Sequence, residues 1–318
     1  MTTRLTLAIV LCVFTSWSMF AAQSPVWPVG RARHHVAYDP TAQVMLMVNG
    51  AQASDQAGRD TVLWAWNGAT WRALSGIPQQ RANEAVAFDS ARGRLVVHGG
   101  SSLDGRGELD DTWEFDGTRW QMVSASGPGA RAHHAMVFDE ARQQTVLFGN
   151  SDSAIANDTW AWDGQVWKRL ANDGPPRRGV QAIGYDPKRR VVVMFGGVGG
   201  SNAILNDTWE WDGRQWKQIA TATAPSPRFD TNMSYDPGGS RLILFGGRER
   251  LANIGDTWGY DGIAWTRIDT AGPSARNGHA MVYDPRAKAV LLFGGRNGPA
   301  YLNDLWAFDG GWRQIPQR

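Results

Sequence analysis

Six arginines recur along the chain at intervals of 47 to 50 residues, and a more variable position follows three residues after each. The arginines are Arg31, Arg81, Arg131, Arg178, Arg228 and Arg276. The residues at the variable position are His34, Glu84, His134, Gln181, Thr231 and His279. A guanidinium group binds carboxylate or phosphate through a planar fork of donors, and an imidazole can bind a metal or transfer a proton. The spacing therefore indicates either a ring-shaped anion site or a repeated set of structural ion pairs.

Five aspartates at equivalent later positions could be the partners of these arginines. They are Asp111, Asp158, Asp207, Asp256 and Asp304. In the first repeat Val62 occupies the aligned position, and Asp60 stands two residues earlier. We favour pairing as the main role of the arginines and keep the anion site as the alternative, because such ion-pair networks are often structural.

The variable position has the same two interpretations. His34, His134 and His279 could bind a metal, but hydrogen bonds between repeats are the preferred interpretation, so no metal and no cofactor is predicted. Glu84 is the one acid at this position and could transfer protons in a channel flanked by arginines. No residue is assigned a catalytic role, and an enzyme is the less favoured interpretation.

Other chemistry is excluded by composition and motifs. The single cysteine, Cys12, lies in an apolar N-terminal run, so a chain without that segment has no thiol for catalysis, disulfides or metal binding. No serine nucleophile elbow, phosphate loop or zinc-helix motif is present. The formal charge is +2, with 32 basic and 30 acidic residues and no basic stripe, which argues against nucleic acid as a partner.

The elements that position these residues form a repeated unit. An aromatic-Asp pair, such as Phe138-Asp139, ends a first strand, A, that is predicted to start at the arginine. Strand B is an apolar run that ends at a glycine pair, such as Gly196-Gly197, and its composition indicates burial on both faces. Strand C carries aromatic residues at alternate positions, and an Asn-Gly or Asp-Gly turn joins it to strand D, which begins at tryptophan.

This pattern resembles the Kelch repeat. The resemblance rests on Arg131-x-x-His134, on the glycine pairs, and on Asp-x-Trp-x-aromatic motifs such as the one from Asp207 to Trp211, followed by a strand-D tryptophan. It implies an all-β fold, a six-bladed β-propeller with four antiparallel strands per blade. The predicted propeller spans residues 31–318 as one domain, with repeats near 31–80, 81–130, 131–177, 178–227, 228–275 and 276–318.

Each predicted blade is complete within one repeat. Ring closure should therefore rest on packing between the first and last blades, with residues 26–29 adding a strand edge. Most of the 17 tryptophans should pack between blades, and Trp27, which lies outside the repeats, should be exposed.

The rim that carries the arginines also carries the longer B–C loops, residues 51–60, 101–110, 151–157, 198–206, 248–255 and 296–303. Variable loops on a rigid scaffold usually carry function. We therefore predict a binding rim made of the six arginines, the residues of the variable position, and Arg248, Arg296 and Tyr301. Its partner would be a protein, a peptide or a glycan, bound by a monomeric propeller, with apolar loop residues such as Ile155, Leu205 and Leu251 exposed.

Two alternatives for the function stay open. An arginine-rich rim could act on an acidic sugar, as in the periplasmic sialic-acid mutarotases, which are similar at the level of the repeat. A structural or adhesion module is the third possibility. Galactose-oxidase-type copper chemistry is rejected, because it needs a cysteine-crosslinked tyrosine.

The N-terminal segment predicts export. Arg4 precedes an almost wholly apolar run over residues 5–14, and small residues follow at Ala21 and Ala22. We predict a signal peptide over residues 1–22, with an uncleaved N-terminal anchor as the alternative. The protein would then be periplasmic or secreted, with no membrane span in the mature chain.

Overall fold

Six four-stranded antiparallel sheets surround one axis in a computed structural model that describes residues 27–52, 62–149 and 157–317. Each inner strand A lies beside the inner strands of both neighbouring blades, and those of blades 1 and 6 also meet, so the ring is closed. The predicted six-bladed propeller with four strands per blade is confirmed. The predicted signal segment, Asp60 and Ile155 lie outside the described residues.

Within every blade the strands follow the order A, B, C, D from the axis outward. In blade 1 they span His35–Asp39, Val44–Val48, Leu63–Trp66 and Trp71–Leu74. In blade 2 they span Ala85–Asp89, Arg94–His98, Thr112–Phe115 and Trp120–Ser124. In blade 3 they span Ala135–Asp139, Gln144–Phe148, Thr159–Trp162 and Trp167–Ala171. In blade 4 they span Ala182–Asp186, Val191–Gly199, Ile204–Trp211 and Trp216–Ile219. In blade 5 they span Asn232–Asp236, Arg241–Phe245, Thr257–Tyr260 and Trp265–Ile268. In blade 6 they span Ala280–Asp284, Ala289–Phe293, Leu305–Phe308 and Trp312–Ile315.

Short additional strands lie at the B–C rim. In blades 1, 2 and 4 a two-residue strand at the arginine pairs with the chain that follows strand B. In blades 5 and 6 the B–C loop itself is a small hairpin, made by Arg248–Glu249 with Ala252–Asn253 and by Arg296–Asn297 with Ala300–Tyr301. The helical structure in the described ranges is one short 3-10 turn, Gly200–Asn202, and no helix there is long and apolar enough to cross a membrane.

The core is divided among the six junctions between blades, because strand B sends alternate side chains to opposite neighbours. In blade 1, Met45 and Met47 pack against blade 6, whereas Leu46 and Val48 pack against blade 2. Period-two alternation of this kind places apolar side chains on both faces of a strand. It explains the uninterrupted apolar runs of strand B.

Strand A begins four residues after the arginine, so the prediction that it starts at the arginine is wrong. The second residue after each arginine adopts a left-handed conformation with φ between 52° and 62°, and this conformation interrupts an extended strand. These residues are Arg33, Asn83, His133, Val180, Asp230 and Gly278. Backbone hydrogen bonds of 2.7–3.2 Å join five successive pairs of them across the blade junctions, forming a collar around the axis.

The junction between blades 6 and 1 is closed by the N-terminal segment. Residues 27–30 form no strand. Instead, Trp27 packs edge-on against Trp66 at 5.5 Å and Trp71 at 6.3 Å, and its Nε1 donates to the Asn303 carbonyl of blade 6 at 2.6 Å. Trp27 is therefore partly buried, contrary to the expected exposure.

This junction also lacks a bond that other junctions have. At four other junctions the strand-D tryptophan of one blade donates to a threonine in strand C of the preceding blade. Blade 6 has Leu305 at that position, and the Trp71 Nε1 has no hydrogen-bond partner in the described part of the chain. Trp27 supplies packing at the place where this bond is missing.

We predict that Trp27→Ala lowers the free energy of unfolding by about 3 kcal/mol, through lost packing and a lost hydrogen bond at the ring closure. Urea unfolding of the purified protein measures this change. Trp27→Phe, which retains a ring but not the donor, should lose less. An unchanged midpoint in Trp27→Ala would contradict the closing role.

Candidate functional site

The six repeated arginines are buried, and five of them pair with the aligned aspartates. Arg178, for example, donates to Asp207 through both terminal nitrogens, at 2.5 and 2.8 Å, and also to the Gly196 carbonyl at 3.2 Å. Asp207 also accepts from the Trp209 indole at 2.7 Å. Burial alone would raise the pKa of Asp207, but the bonds from Arg178 and Trp209 hold it below its usual value. The same arrangement recurs at Asp111, Asp158, Asp256 and Asp304.

Arg31 of blade 1 is as buried as the others. It donates to the Asn49 carbonyl and to the Val29 carbonyl, both at 3.2 Å. The first repeat thus retains the carbonyl contact of the other repeats. In the five repeats with a paired aspartate, the guanidinium groups that were predicted to bind an anion are therefore occupied by carboxylates of the protein itself.

Five of the six residues at the variable position reach a neighbouring blade. The imidazoles of His34, His134 and His279 each lie beside the last residue of strand B in the preceding blade. Gln181 donates to the Phe148 carbonyl of blade 3 at 3.0 Å. Thr231 is too short to cross the junction and bonds the Phe245 carbonyl of its own blade at 2.8 Å.

Glycine pairs make room for these side chains. A Cβ added at Gly294 would lie 3.0 Å from the His34 ring, and the following Gly295 lies against Asn277 and His279, just before strand A of its own blade. Blade 1 has Asn49 in place of the first glycine, and Asn49 donates to the Glu84 carboxylate of blade 2 at 2.8 Å. Glu84 is therefore held by an amide at the place where other blades use a histidine beside a glycine.

The histidines are not gathered at one point. His34, His134 and His279 belong to blades 1, 3 and 6, and each faces its own junction. Within the described ranges no cluster of three or more His, Cys, Asp or Glu side chains could hold a metal ion. Burial, together with Arg31, lowers the pKa of His34 well below its usual value, and burial together with Arg276 lowers the pKa of His279 to about 3.

A second set of arginines, which the sequence analysis missed, joins blades on the opposite rim. They are Arg92, Arg142, Arg189 and Arg286. Each pairs with the aspartate of its own aromatic-Asp motif and reaches the C–D turn of the next blade. Arg286, for example, bonds Asp284 at 2.8 Å and the Asn67 carbonyl of blade 1 at 2.5 Å. Each of them follows that aspartate by two or three residues, and this recurrence is the signal that could have identified them.

A cleft of about 450 Å³ opens on the B–C rim where blades 5, 6 and 1 meet. Its walls include the B–C hairpins of blades 5 and 6. Pairs of backbone hydrogen bonds tie these hairpins to the inner chain, between Phe229 and Arg248 and between Asn277 and Arg296. Leu251, at the tip of the blade 5 hairpin, is 97% exposed. The cleft therefore has a firm main-chain frame and an exposed apolar edge.

Three guanidinium groups line this cleft, from Arg33, Arg248 and Arg296. Arg33 donates to Asp230 at 3.1 Å, and the Nε of Arg248 lies 3.5 Å from the same carboxylate. The Arg248 guanidinium lies 4.5 Å from the centre of the Phe229 ring, which fixes its plane. Three cations against one carboxylate leave the cleft with net positive charge.

Arg296 provides the most available cation of the three. Its guanidinium lies 5.3 Å from the Tyr301 ring, and its Nε donates to the Gly298 carbonyl at 2.6 Å. Among the described side chains it makes no ion pair. Beside it, the Asn277 amide donates to the Asn253 side chain at 2.6 Å, and both amides line the cleft. This arrangement can bind an anion through charge and amide donors together.

The structure thus brings together only some of the predicted site residues. Arg248, Arg296 and Tyr301 meet in the cleft, whereas the six repeated arginines, His34, Glu84, His134 and His279 lie buried elsewhere. Arg33, Asn253 and Asn277 join the cleft without having been singled out. Of the apolar loop residues, Leu205 and Tyr301 are partly buried and Leu251 is exposed.

We predict that stability falls steeply as the pH drops from 6.5 towards 5. His34, His98, His134 and His279 are buried with lowered pKa values, so the native state keeps them neutral while the unfolded chain takes up protons below about pH 6.5. The contribution of the neutral histidines to the free energy of unfolding is fully present above that pH. Below it, the contribution falls by up to about 1.4 kcal/mol per pH unit for each histidine. Urea unfolding at several pH values measures the slope.

The control for this prediction is His279→Gln, which copies the glutamine of blade 4. Its slope between pH 6.5 and 5 should be smaller than that of the unmodified protein by about one proton. A flat stability profile over this range would contradict the neutral, buried state of the histidines. The aspartates with lowered pKa values titrate at lower pH and do not confuse the measurement.

Comparison with known proteins agrees with this geometry. Residues 187–317 match the profile of the KLHDC2/KLHL20/DRC7 Kelch-repeats domain. No curated protein sequence matches the chain. The matched region runs from the A–B turn of blade 4 to the end of blade 6, and the same buried arginines and glycine positions continue through the earlier blades. The chain is a six-bladed β-propeller, and its residues 187–317 match a Kelch-repeats domain.

Proposed function

We propose that this protein is an exported binding module whose B–C rim cleft holds an acidic segment of a partner protein. Kelch propellers are typical protein-binding scaffolds. The single observation that supports the acidic partner is the cleft between blades 5, 6 and 1, where Arg33, Arg248 and Arg296 face the same space. Among the described side chains Arg33 and Arg248 share the single carboxylate of Asp230, and Arg296 makes no ion pair, so positive charge remains in the cleft to meet a ligand.

The shape of the rim favours a macromolecular partner. Leu251 and the exposed Arg296 lie at the edge of the cleft, so a bound segment would cover apolar surface while its carboxylate enters between the guanidinium groups. Apolar contact around a desolvated charge pair is the usual composition of an interface centre. On the opposite rim, which consists of short turns, Arg142, Arg189 and Arg286 each pair with an aspartate of the protein itself.

An acidic sugar is the second candidate. The cleft volume of about 450 Å³ suits a small ligand, and the amides of Asn253 and Asn277 could serve its hydroxyl groups. This candidate predicts binding of a free uronic or sialic acid, which the protein-partner proposal does not require.

We predict that Arg296→Ala weakens binding of a fluorescent glutamate-rich decapeptide about tenfold or more, because a charge-assisted contact is lost. Fluorescence anisotropy at 50 and 200 mM salt measures the affinity. Arg267→Ala is the matched control, since Arg267 is an exposed arginine on the outer strand of blade 5 with Asp269 as its neighbour. It removes the same charge away from the cleft.

Three results would separate the candidates. Equal loss in Arg296→Ala and Arg267→Ala would indicate nonspecific charge attraction and overturn the cleft proposal. A rise in the unfolding temperature with glucuronate or N-acetylneuraminate, absent in Arg296→Ala, would favour the acidic sugar. No binding of peptide or sugar at low salt would contradict both.

Export is tested separately. We expect the full chain, expressed in a bacterium, to be found in the periplasm or the medium and to lack residues 1–22, because that segment has the composition of a signal peptide. Cell fractionation followed by N-terminal sequencing measures this. Removal of residues 1–22 from the gene is the control and should leave the protein in the cytoplasm. Retention of the full chain in the membrane fraction would indicate an uncleaved anchor instead.

A further inference from the structure

A second cavity runs along the propeller axis and shares only Arg33 with the lining of the rim cleft. Its volume is about 680 Å³, within the range of small-molecule sites. All six inner strands line it, from the left-handed collar at one end to the A–B turns at the other. The collar end includes Arg33 and Asp230, and the turn end includes Pro187 and Pro237.

The wall of this cavity presents main-chain polar groups. Each inner strand pairs with strand B on one side only, so the amides and carbonyls of its other edge point towards the axis. Such groups must be bonded to water or to a ligand, because an unpaired buried peptide group is costly. A pure hydrocarbon would displace the water bound to these strand edges and could not replace its hydrogen bonds. The wall therefore favours an occupant that carries its own donors and acceptors.

Three polar side chains interrupt an otherwise small and apolar middle section. They are His35 of blade 1 and Asn232 and Ser234 of blade 5, all partly exposed to the cavity. The position of His35 and Asn232 is alanine in the other four blades, and that of Ser234 is alanine, valine or glycine in the other five. The Asn232 amide and the Ser234 hydroxyl make no side-chain hydrogen bond within the described residues, so both are available to a ligand.

The charged groups of the cavity wall lie near its ends. Arg33 and Asp230 pair with each other at the collar, and Glu84 is buried next to the collar with one oxygen bonded to Asn49. Glu140 stands at the turn end. Burial lowers the pKa of His35, so the middle section is uncharged at neutral pH. An ionised ligand would lose its hydration there without finding a counter-charge.

We propose that the axial cavity binds a small, neutral, polyhydroxylated molecule, such as a cyclitol or a mono- or disaccharide. His35, Asn232 and Ser234 would bind its hydroxyl groups, and the free strand edges would accept and donate the remaining hydrogen bonds. These three residues do not line the rim cleft, so the site can be tested separately from the partner proposed for the cleft.

Isothermal titration calorimetry with myo-inositol, D-glucose and maltose tests the proposal. At least one of them should bind, and Asn232→Ala and Ser234→Ala should each weaken that binding by about fivefold or more, as expected for a lost hydrogen bond that leaves the ligand group unpaired. Both replacements copy residues that other blades carry at the same positions, so the fold should be retained. D-glucuronate should bind at least about tenfold more weakly than D-glucose, because the site offers no counter-charge.

Asn253→Ala is the matched control, since it removes an amide from the rim cleft and not from the axial cavity. It should leave the polyol affinity unchanged. The proposal is overturned if none of the three polyols binds at 100 mM, if Asn232→Ala and Ser234→Ala bind as the unmodified protein does, or if D-glucuronate binds as well as D-glucose. Loss of polyol binding in Asn253→Ala would place the ligand in the rim cleft instead.

Discussion

The guanidinium group buried four residues before each inner strand is the interaction on which the rest of the propeller depends. In five blades it joins three parts of the same repeat: the inner chain through its own backbone, the end of strand B through a glycine carbonyl, and the start of strand C through an aspartate. Removing one partner of such a buried pair costs about 3–5 kcal/mol, because the other charge stays behind without compensation. The aspartate also orients a tryptophan of strand C, so the ion pair sets where the aromatic packing between blades begins.

Junctions between blades follow from this fixed point. The carbonyl of the arginine accepts a backbone bond from the second glycine of the preceding blade, as between Gly100 and Arg131. The side chain three residues later then fills the space beside the first glycine. Small residues are required at both places because the chains approach closely there, and the left-handed backbone of these positions suits glycine. The polar ring of the propeller is therefore a device for joining blades, and function is left to the surfaces beyond it.

Much of this was predictable because each feature occurs several times. The apolar run of strand B, the paired aromatics of strand C and the turn before strand D gave the fold, and the aligned aspartates gave the arginines their structural interpretation. The start of strand A was not predictable, since Arg33 and Val180 carry no sequence sign of a left-handed backbone. Arg33 escaped attention because its position differs in every repeat. Arg248 and Arg296 were identified from their loops, but their meeting depends on how two hairpins fold over one junction.

Gly278 has a consequence for the symmetry of the whole ring. Five blades carry a side chain at this collar position, and blade 6 does not. A Cβ at residue 278 would lie 3.3 Å from the Arg33 side chain, a tight contact, so the glycine leaves room where Arg33 passes blade 6 and pairs with Asp230 of blade 5. Six identical repeats would give the ring six equivalent sectors. The missing side chain at Gly278 helps to make the sector of blades 5, 6 and 1 different from the rest, since an arginine there joins two blades that are not neighbours.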